Sequence, residues 1–121
     1  MEPGRNSPQL AIGRSEQDGV QVVELRGELD LDAVPELDAA LADASSGEHP
    51  HVCLDLSGLR FIDSTGLAAV IRGHGATAKA GGALTIVAAR GSIVRRTLET
   101  SGLVGLLSVM EDRAAALRDL A

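Results

Sequence analysis

The segment Val52-Cys53-Leu54-Asp55-Leu56, bounded by Pro50 before it and Ser57-Gly58 after it, constrains the fold of this chain more than any other. A strand with one wet face alternates apolar and polar residues, whereas a short, almost continuous apolar run is what a strand covered on both faces requires. We read it as the central strand, ending at Asp55 and followed by a loop from Ser57 to Asp63. Layers of structure must then lie on both sides of it.

The flanking sequence supplies them. Leu10, Ile12, Val20, Val22, Val23 and Leu25 alternate across the turn Gln17-Asp18-Gly19, the pattern of a β-hairpin. Val34, Leu37, Leu41 and Ala44 recur at helical spacing, with Pro35 in the first turn and Glu36 and Asp38 near the positive end of the dipole. A second helix carries Leu67, Val70, Ile71 and His74 on one face and ends at Gly81-Gly82. Leu84 to Ala88 reads as a strand, Ile93, Val94, Thr97 and Leu98 as a third helix stopping before Gly102, and Leu106 to Val109 as a last strand. Glu111 to Ala121, with Ala114 and Leu117 on a shared face, closes the chain as a helix. A hairpin followed by strand-helix alternation implies an α/β sandwich whose sheet is mixed and mainly parallel, with about five strands and about four helices. Residues 1–8 read as a flexible leader and residues 9–121 as one domain.

Charge and composition exclude several functions. Seventeen acids against eleven bases give a net charge of -6, which repels a phosphate backbone, and Phe61 is the only aromatic, so platforms for stacking bases are absent. Nucleic acid is not the expected partner; another protein is. The one cysteine, Cys53, lies within the apolar run as a small hydrophobe and forms no intramolecular disulfide. The polar N-terminus has no signal-peptide core and no run is long enough to span a bilayer, so the expected place is the cytoplasm, away from membranes. His49 and His51 flank Pro50 without the carboxylates or thiols of a metal site, and no cofactor is expected. Arg90, Arg95 and Arg96 read as a solvated face, and the glycines between Gly73 and Gly82 do not form a phosphate-cradling loop.

The informative stretch joins the central strand to the second helix. Phe61 and Ile62 are expected to anchor it in the core, and Asp63 and Ser64 offer oxygen acceptors where helix N–H groups lack partners, which puts Ser64 at a helix N-terminus. That place, at the carboxyl end of a parallel strand, is where open α/β sheets meet ligands and partners. Asp63-Ser64-Thr65-Gly66-Leu67 resembles the phosphorylation motif of anti-sigma factor antagonists of the STAS family. Gly27-Glu28-Leu29-Asp30 is similar to the signature before that family's first helix, and Leu98-Glu99-Thr100-Ser101-Gly102-Leu103 to its last conserved helix end. The motifs stand in family order, over roughly Leu10 to Ala121.

The resemblance implies a STAS-type sandwich and a partner-switching cycle. The unphosphorylated antagonist would bind an anti-sigma factor, itself a Ser/Thr kinase, and release a sigma factor. Phosphorylation of Ser64 would block binding, and a metal-dependent Ser/Thr phosphatase would restore it, with Thr65 the secondary acceptor. Glu28 and Asp30 carry over as partner contacts beside Ile62, Asp63, Ser64, Gly66 and Leu67, with Gly66 admitting close approach and Leu67 or Ile62 giving apolar contact. Plainer readings stand beside these: Ser64 as a helix cap, Asp30 as a turn acid or N-cap, Asp55 as a structural acid holding the loop, Asp63 as a solvated surface group. A catalytic role for Ser64 lacks a base, because His74 lies about 15 Å further along the helix at about 1.5 Å per residue. The chain is therefore expected not to be an enzyme. The rival function is a STAS adaptor in a stress-sensing or transporter-associated complex.

Overall fold

The structure, a computed structural model, describes residues 9–121; the leader expected over 1–8 lies outside them. The hairpin forms as the alternation requires, β1 (Leu10–Gln17) running antiparallel to β2 (Val20–Leu29) across Asp18-Gly19. Both turn residues have positive φ, +54° and +80°. This is the backbone of a two-residue turn whose twist matches its strands. A single 3-10 turn, Leu31–Ala33, leads into α1 (Val34–Ala44), which has the boundaries that its apolar spacing predicts.

After α1 come β3 (His51–Ile62), α2 (Ser64–Lys79), β4 (Ala83–Val87), α3 (Ile93–Thr100), β5 (Ser108–Met110) and α4 (Arg113–Leu120). The sheet order is β1-β2-β3-β4-β5, and every pair but the first is parallel. The mixed, mainly parallel five-stranded sheet with four helices is thus the expected one.

Successive residues of the inner strands serve opposite faces. Val23, Leu25, Leu54 and Ile86 join the larger core with Leu37 and Leu41 of α1, Val70 of α2 and Val94 and Leu98 of α3. Val22, Cys53 and Val87 face the other way and pack with Ala116 and Leu120 of α4. The reading of Val52 to Leu56 as a strand covered on both sides holds.

Four details differ from expectation. First, β3 does not end at Asp55 but pairs with β2 as far as Ile62, accommodating two extra residues through register shifts between Glu24 and Arg26 and between Gly27 and Glu28. Such bulges break the period of two, so that Ser57-Gly58 reads as the start of a loop. Second, α2 buries Gly66, Ala69, Val70, Gly73 and Thr77, while Ile71 is 38% exposed. The face is one of small residues because α2 lies close against α1: a Cβ on Gly73 would stand 2.5 Å from Leu41 Cδ1. Third, α4 buries Ala116 and Leu120, with Ala114 outside. Fourth, β5 begins two residues later than expected, Leu107 entering the core and Leu106 remaining 66% exposed.

Candidate functional site

The extended β2–β3 ribbon carries two segments to one place. Glu28 pairs with Phe61 and Leu29 with Ile62, and beyond these pairs each strand passes into a helical start. The N–H of Asp63 donates to the Leu29 carbonyl at 3.2 Å. A Cβ on Gly66 would stand 2.7 Å from Leu29 Cγ, 2.9 Å from the Leu29 carbonyl oxygen and 3.1 Å from Ile62 Cγ1. Glycine here is therefore a packing requirement of the chain itself.

Asp63, not Ser64, caps α2. Its carboxylate accepts from the Gly66 N–H at 2.9 Å and from the Thr65 hydroxyl at 2.6 Å. Further N–H groups, from Thr65 and from Leu31 of the neighbouring turn, also stabilise its charge. These bonds hold the Asp63 carboxyl below the usual carboxylate range, the Thr65 hydroxyl contributing most and the Gly66 N–H next. The reading of Asp63 as a merely solvated surface group is thereby corrected. The carboxylate thus closes the first turn of α2, while the Asp63 N–H bond to Leu29 joins that turn to the end of β2.

Ser64 is the first residue of α2 and is exposed. Among the described residues no hydrogen bond holds its hydroxyl, whereas that of the half-buried Thr65 is committed to Asp63.

The other expected contacts divide. Leu67 is half-buried and Glu28 half-buried, the latter 3.8 Å from the guanidinium of exposed Arg60. Ile62 and Gly66 were expected to touch a partner but are buried in the chain's own core, Ile62 at 6% exposure. They support the loop from beneath because the strand continues through Ile62. Asp30 stands beside the loop in extended conformation, but among the described residues its side chain makes no capping hydrogen bond and its buried Oδ1 has no partner. Asp30 thus holds the N-cap position of the 3-10 turn by its backbone, its carbonyl accepting from the Ala33 N–H at 3.0 Å, and not by its side chain.

Two apolar residues of the site escaped the sequence. Leu31 is 65% exposed, and Phe61, expected in the core, is 46% exposed. Arg60, the extra residue of the second bulge, shifts the strand's phase so that Ile62 and not Phe61 faces inward. Hydropathy alone carries no such signal.

Asp55 is structural. It is buried and accepts from the N–H and hydroxyl of Ser57 and from Arg113 Nε and Nη2 at 3.0 and 2.8 Å, and none of these bonds reaches Ser64. His49 turns Nδ1 toward the Gly81 carbonyl at 3.1 Å and lines, with His51, Arg14 and Asp43, an open depression of about 440 Å³. Among the described residues no group of three His, Cys, Asp or Glu is arranged to hold a metal ion, and no helix is long and apolar enough to cross a membrane. Arg90 is exposed and pairs with Glu111 at 2.5 Å, as a solvated face would, whereas the Arg95 side chain is only 13% exposed and donates to the Ala88 carbonyl at 3.2 Å, with Glu99 at 3.4 Å, so the solvated-face reading does not hold for it.

Comparison with known proteins places this arrangement. The family described as "Mlab, STAS domain" matches residues 12–108. The chain belongs to the STAS domain family. Among STAS relatives, the anti-sigma-F factor antagonist RsfB of Mycobacterium tuberculosis is 31% identical over 115 residues, covering 90% of each chain. A crystal structure of an anti-sigma factor antagonist from Mycobacterium paratuberculosis superposes with a TM-score of 0.80 at 26% identity, over 92% of this chain and 93% of that one. The Bacillus cell fate determinant SpoIIAA in its phosphorylated form shares the fold, with a TM-score of 0.61 at 24% identity over 89% and 98% of the two chains.

Proposed function

We propose that this STAS domain is an anti-sigma factor antagonist switched by phosphorylation of Ser64. Its unphosphorylated form binds an anti-sigma factor that is also a Ser/Thr kinase, releasing a sigma factor, and a metal-dependent Ser/Thr phosphatase reverses the phosphorylation. The observation that carries the reading is the exposed Ser64 hydroxyl at the start of α2, unbonded among the described residues, in a loop whose flanking segments also expose the apolar residues Leu31 and Phe61. Similarity to RsfB favours sigma control over the rival role of an adaptor in a stress-sensing or transporter-associated complex.

In this reading the partner meets Ser64, Leu67, Leu31 and Phe61, with Glu28, Asp30 and Asp63 around them. Ile62 and Gly66 act from beneath by fixing the loop. Phosphate adds about -1.5 to -2 charges at the centre of that surface. The helix N-terminus offers it little, since the Gly66 N–H and its neighbours already serve Asp63. Water must then solvate the phosphate, and an interface removes water. A difference of about 4 kcal/mol would weaken binding roughly a thousandfold.

The test uses the anti-sigma factor kinase with magnesium and ATP, phosphate being located by mass spectrometry and binding measured for wild type, Ser64→Ala and Ser64→Asp. Phosphate on Ser64, with binding kept by Ser64→Ala and lost by Ser64→Asp, supports the switch. Binding unchanged by Ser64→Asp would return Ser64 to the role of a surface residue in an adaptor.

A further inference from the structure

Ser64 and Thr65 are adjacent hydroxyls at one helix start, and either could in principle receive a phosphoryl group. Their surroundings are not alike. Ser64 is exposed and its oxygen is unbonded among the described residues, whereas Thr65 is half-buried and its hydroxyl donates to Asp63 Oδ1 at 2.6 Å. The same oxygen accepts from the Gly66 N–H.

We propose that Asp63 is the residue that selects between the two, holding Thr65 as a hydrogen-bond donor and leaving Ser64 as the hydroxyl that accepts phosphate. The inference rests on the reading of this loop as a kinase substrate and adds to it a positioning residue. In the transfer, a lone pair of the acceptor oxygen forms a bond to the γ-phosphorus of ATP. The bond from that phosphorus to the β,γ-bridging oxygen breaks, ADP leaves with its electron pair, and the hydroxyl proton passes to a base of the kinase. The acceptor must therefore turn its oxygen toward the nucleotide. Ser64 is free to do so by rotation about χ1. Thr65 would first have to break its bond to a carboxylate, and the new phosphate would then lie beside that carboxylate with no proton between them.

The opposite role for Asp63, a base that activates Thr65, makes the opposite prediction. Asp63 accepts several hydrogen bonds that stabilise its ionised form, which makes it a poor acceptor of a transferred proton.

The experiment compares the full chain as wild type, Ser64→Ala, Asp63→Ala and the double variants of Ser64→Ala with Asp63→Ala or Asp63→Asn. Each is incubated with an anti-sigma factor kinase and magnesium-ATP, the phosphorylated residue is assigned by fragmentation mass spectrometry, and folding is checked by circular dichroism. Expected is phosphate on Ser64 alone in wild type, none on Ser64→Ala, and phosphate on Thr65 in Ser64→Ala/Asp63→Ala at ten or more times the level in Ser64→Ala. Asparagine keeps a cap and a neutral acceptor for Thr65, so Ser64→Ala/Asp63→Asn should fold and take an intermediate amount. Wild type labelled on Ser64, with Thr65 unlabelled in both folded double variants, would overturn the selector and leave the switch standing. Thr65 labelled in wild type and unlabelled in Asp63→Ala would make Asp63 a base. A folded wild type labelled at neither residue would remove the kinase-substrate reading itself, and the selector with it.

Discussion

At the scale of single residues, the site is organised by one carboxylate and one missing side chain. Asp63 is held below its ordinary pKa first by the Thr65 hydroxyl and next by the Gly66 N–H, so folding favours its ionised form. The sign of the linkage follows: its contribution to stability is present in full above the ordinary carboxyl value of about 3.9 and is lost as pH falls through the lowered one. Thr65→Val removes the largest cause. The Asp63 carboxyl carbon, followed by NMR, should then titrate at higher pH than in wild type, and acid unfolding should begin at higher pH. An unshifted titration would mean that Thr65 does not hold Asp63 in solution. Gly66→Ala tests the missing side chain. Its Cβ would stand 2.9 Å from a backbone carbonyl oxygen that cannot rotate away, so the variant should lose about 1–3 kcal/mol in urea unfolding. A stability equal to wild type would show that α2 can move off β2 at little cost.

At the scale of elements, the sequence is legible where a period is regular and illegible where it slips. The spacing of Val34, Leu37, Leu41 and Ala44 predicts α1 to its end residues, and the alternation of Val20 to Leu25 predicts the hairpin. The far half of β3 could not be read, because the first bulge brings Leu59 to the core face and the second returns that face to Ile62, leaving Phe61 at the surface. The buried face of α2 was also missed. Gly66, Ala69 and Gly73 mark a close helix contact by their smallness, while hydropathy counting is drawn to Ile71. Motif resemblance found the Asp63-Ser64 loop and the Glu28 to Asp30 turn, yet could not tell which members face outward. That distinction defines the next prediction. Leu31→Ala and Phe61→Ala should each weaken binding of the anti-sigma factor by about 10-fold, since exposed apolar anchors near an interface centre carry much of its energy. Both should leave unfolding free energy within about 0.5 kcal/mol of wild type, because neither side chain fills the core. Calorimetric titration of the two variants measures the first quantity, and unchanged affinity in both would move the interface elsewhere.

At the scale of the whole molecule, the two faces of the sheet are closed unequally. Three helices seal the larger core, whereas α4 covers the other face through Ala116 and Leu120 and polar links at either end. Arg113 reaches the buried Asp55 carboxylate at 2.8 Å and Glu24 at 3.3 Å, and the Thr85 hydroxyl donates to Asp119 at 2.7 Å. Removing one member of a buried ion pair costs about 3–5 kcal/mol, but the Arg113 side chain is 34% exposed and Ser57 continues to serve Asp55, so Arg113→Ala should cost about 2 kcal/mol. Cys53 reports whether that loss is felt at α4. Its thiol lies beneath the helix, fully buried, and its pKa is raised to about 11 by that burial and by the charge of Asp55, with Arg113 opposing. In the closed protein at neutral pH it is a covered, protonated thiol, so a disulfide reagent reaches it only through opening. Loss of about 2 kcal/mol from the α4 contact should speed labelling roughly 30-fold. Taking away Arg113 also removes a charge that lowers the Cys53 pKa, which by itself would slow the reaction, so acceleration in Arg113→Ala has to come from undocking. Labelling no faster than in wild type would show that α4 stays seated on its apolar contacts alone.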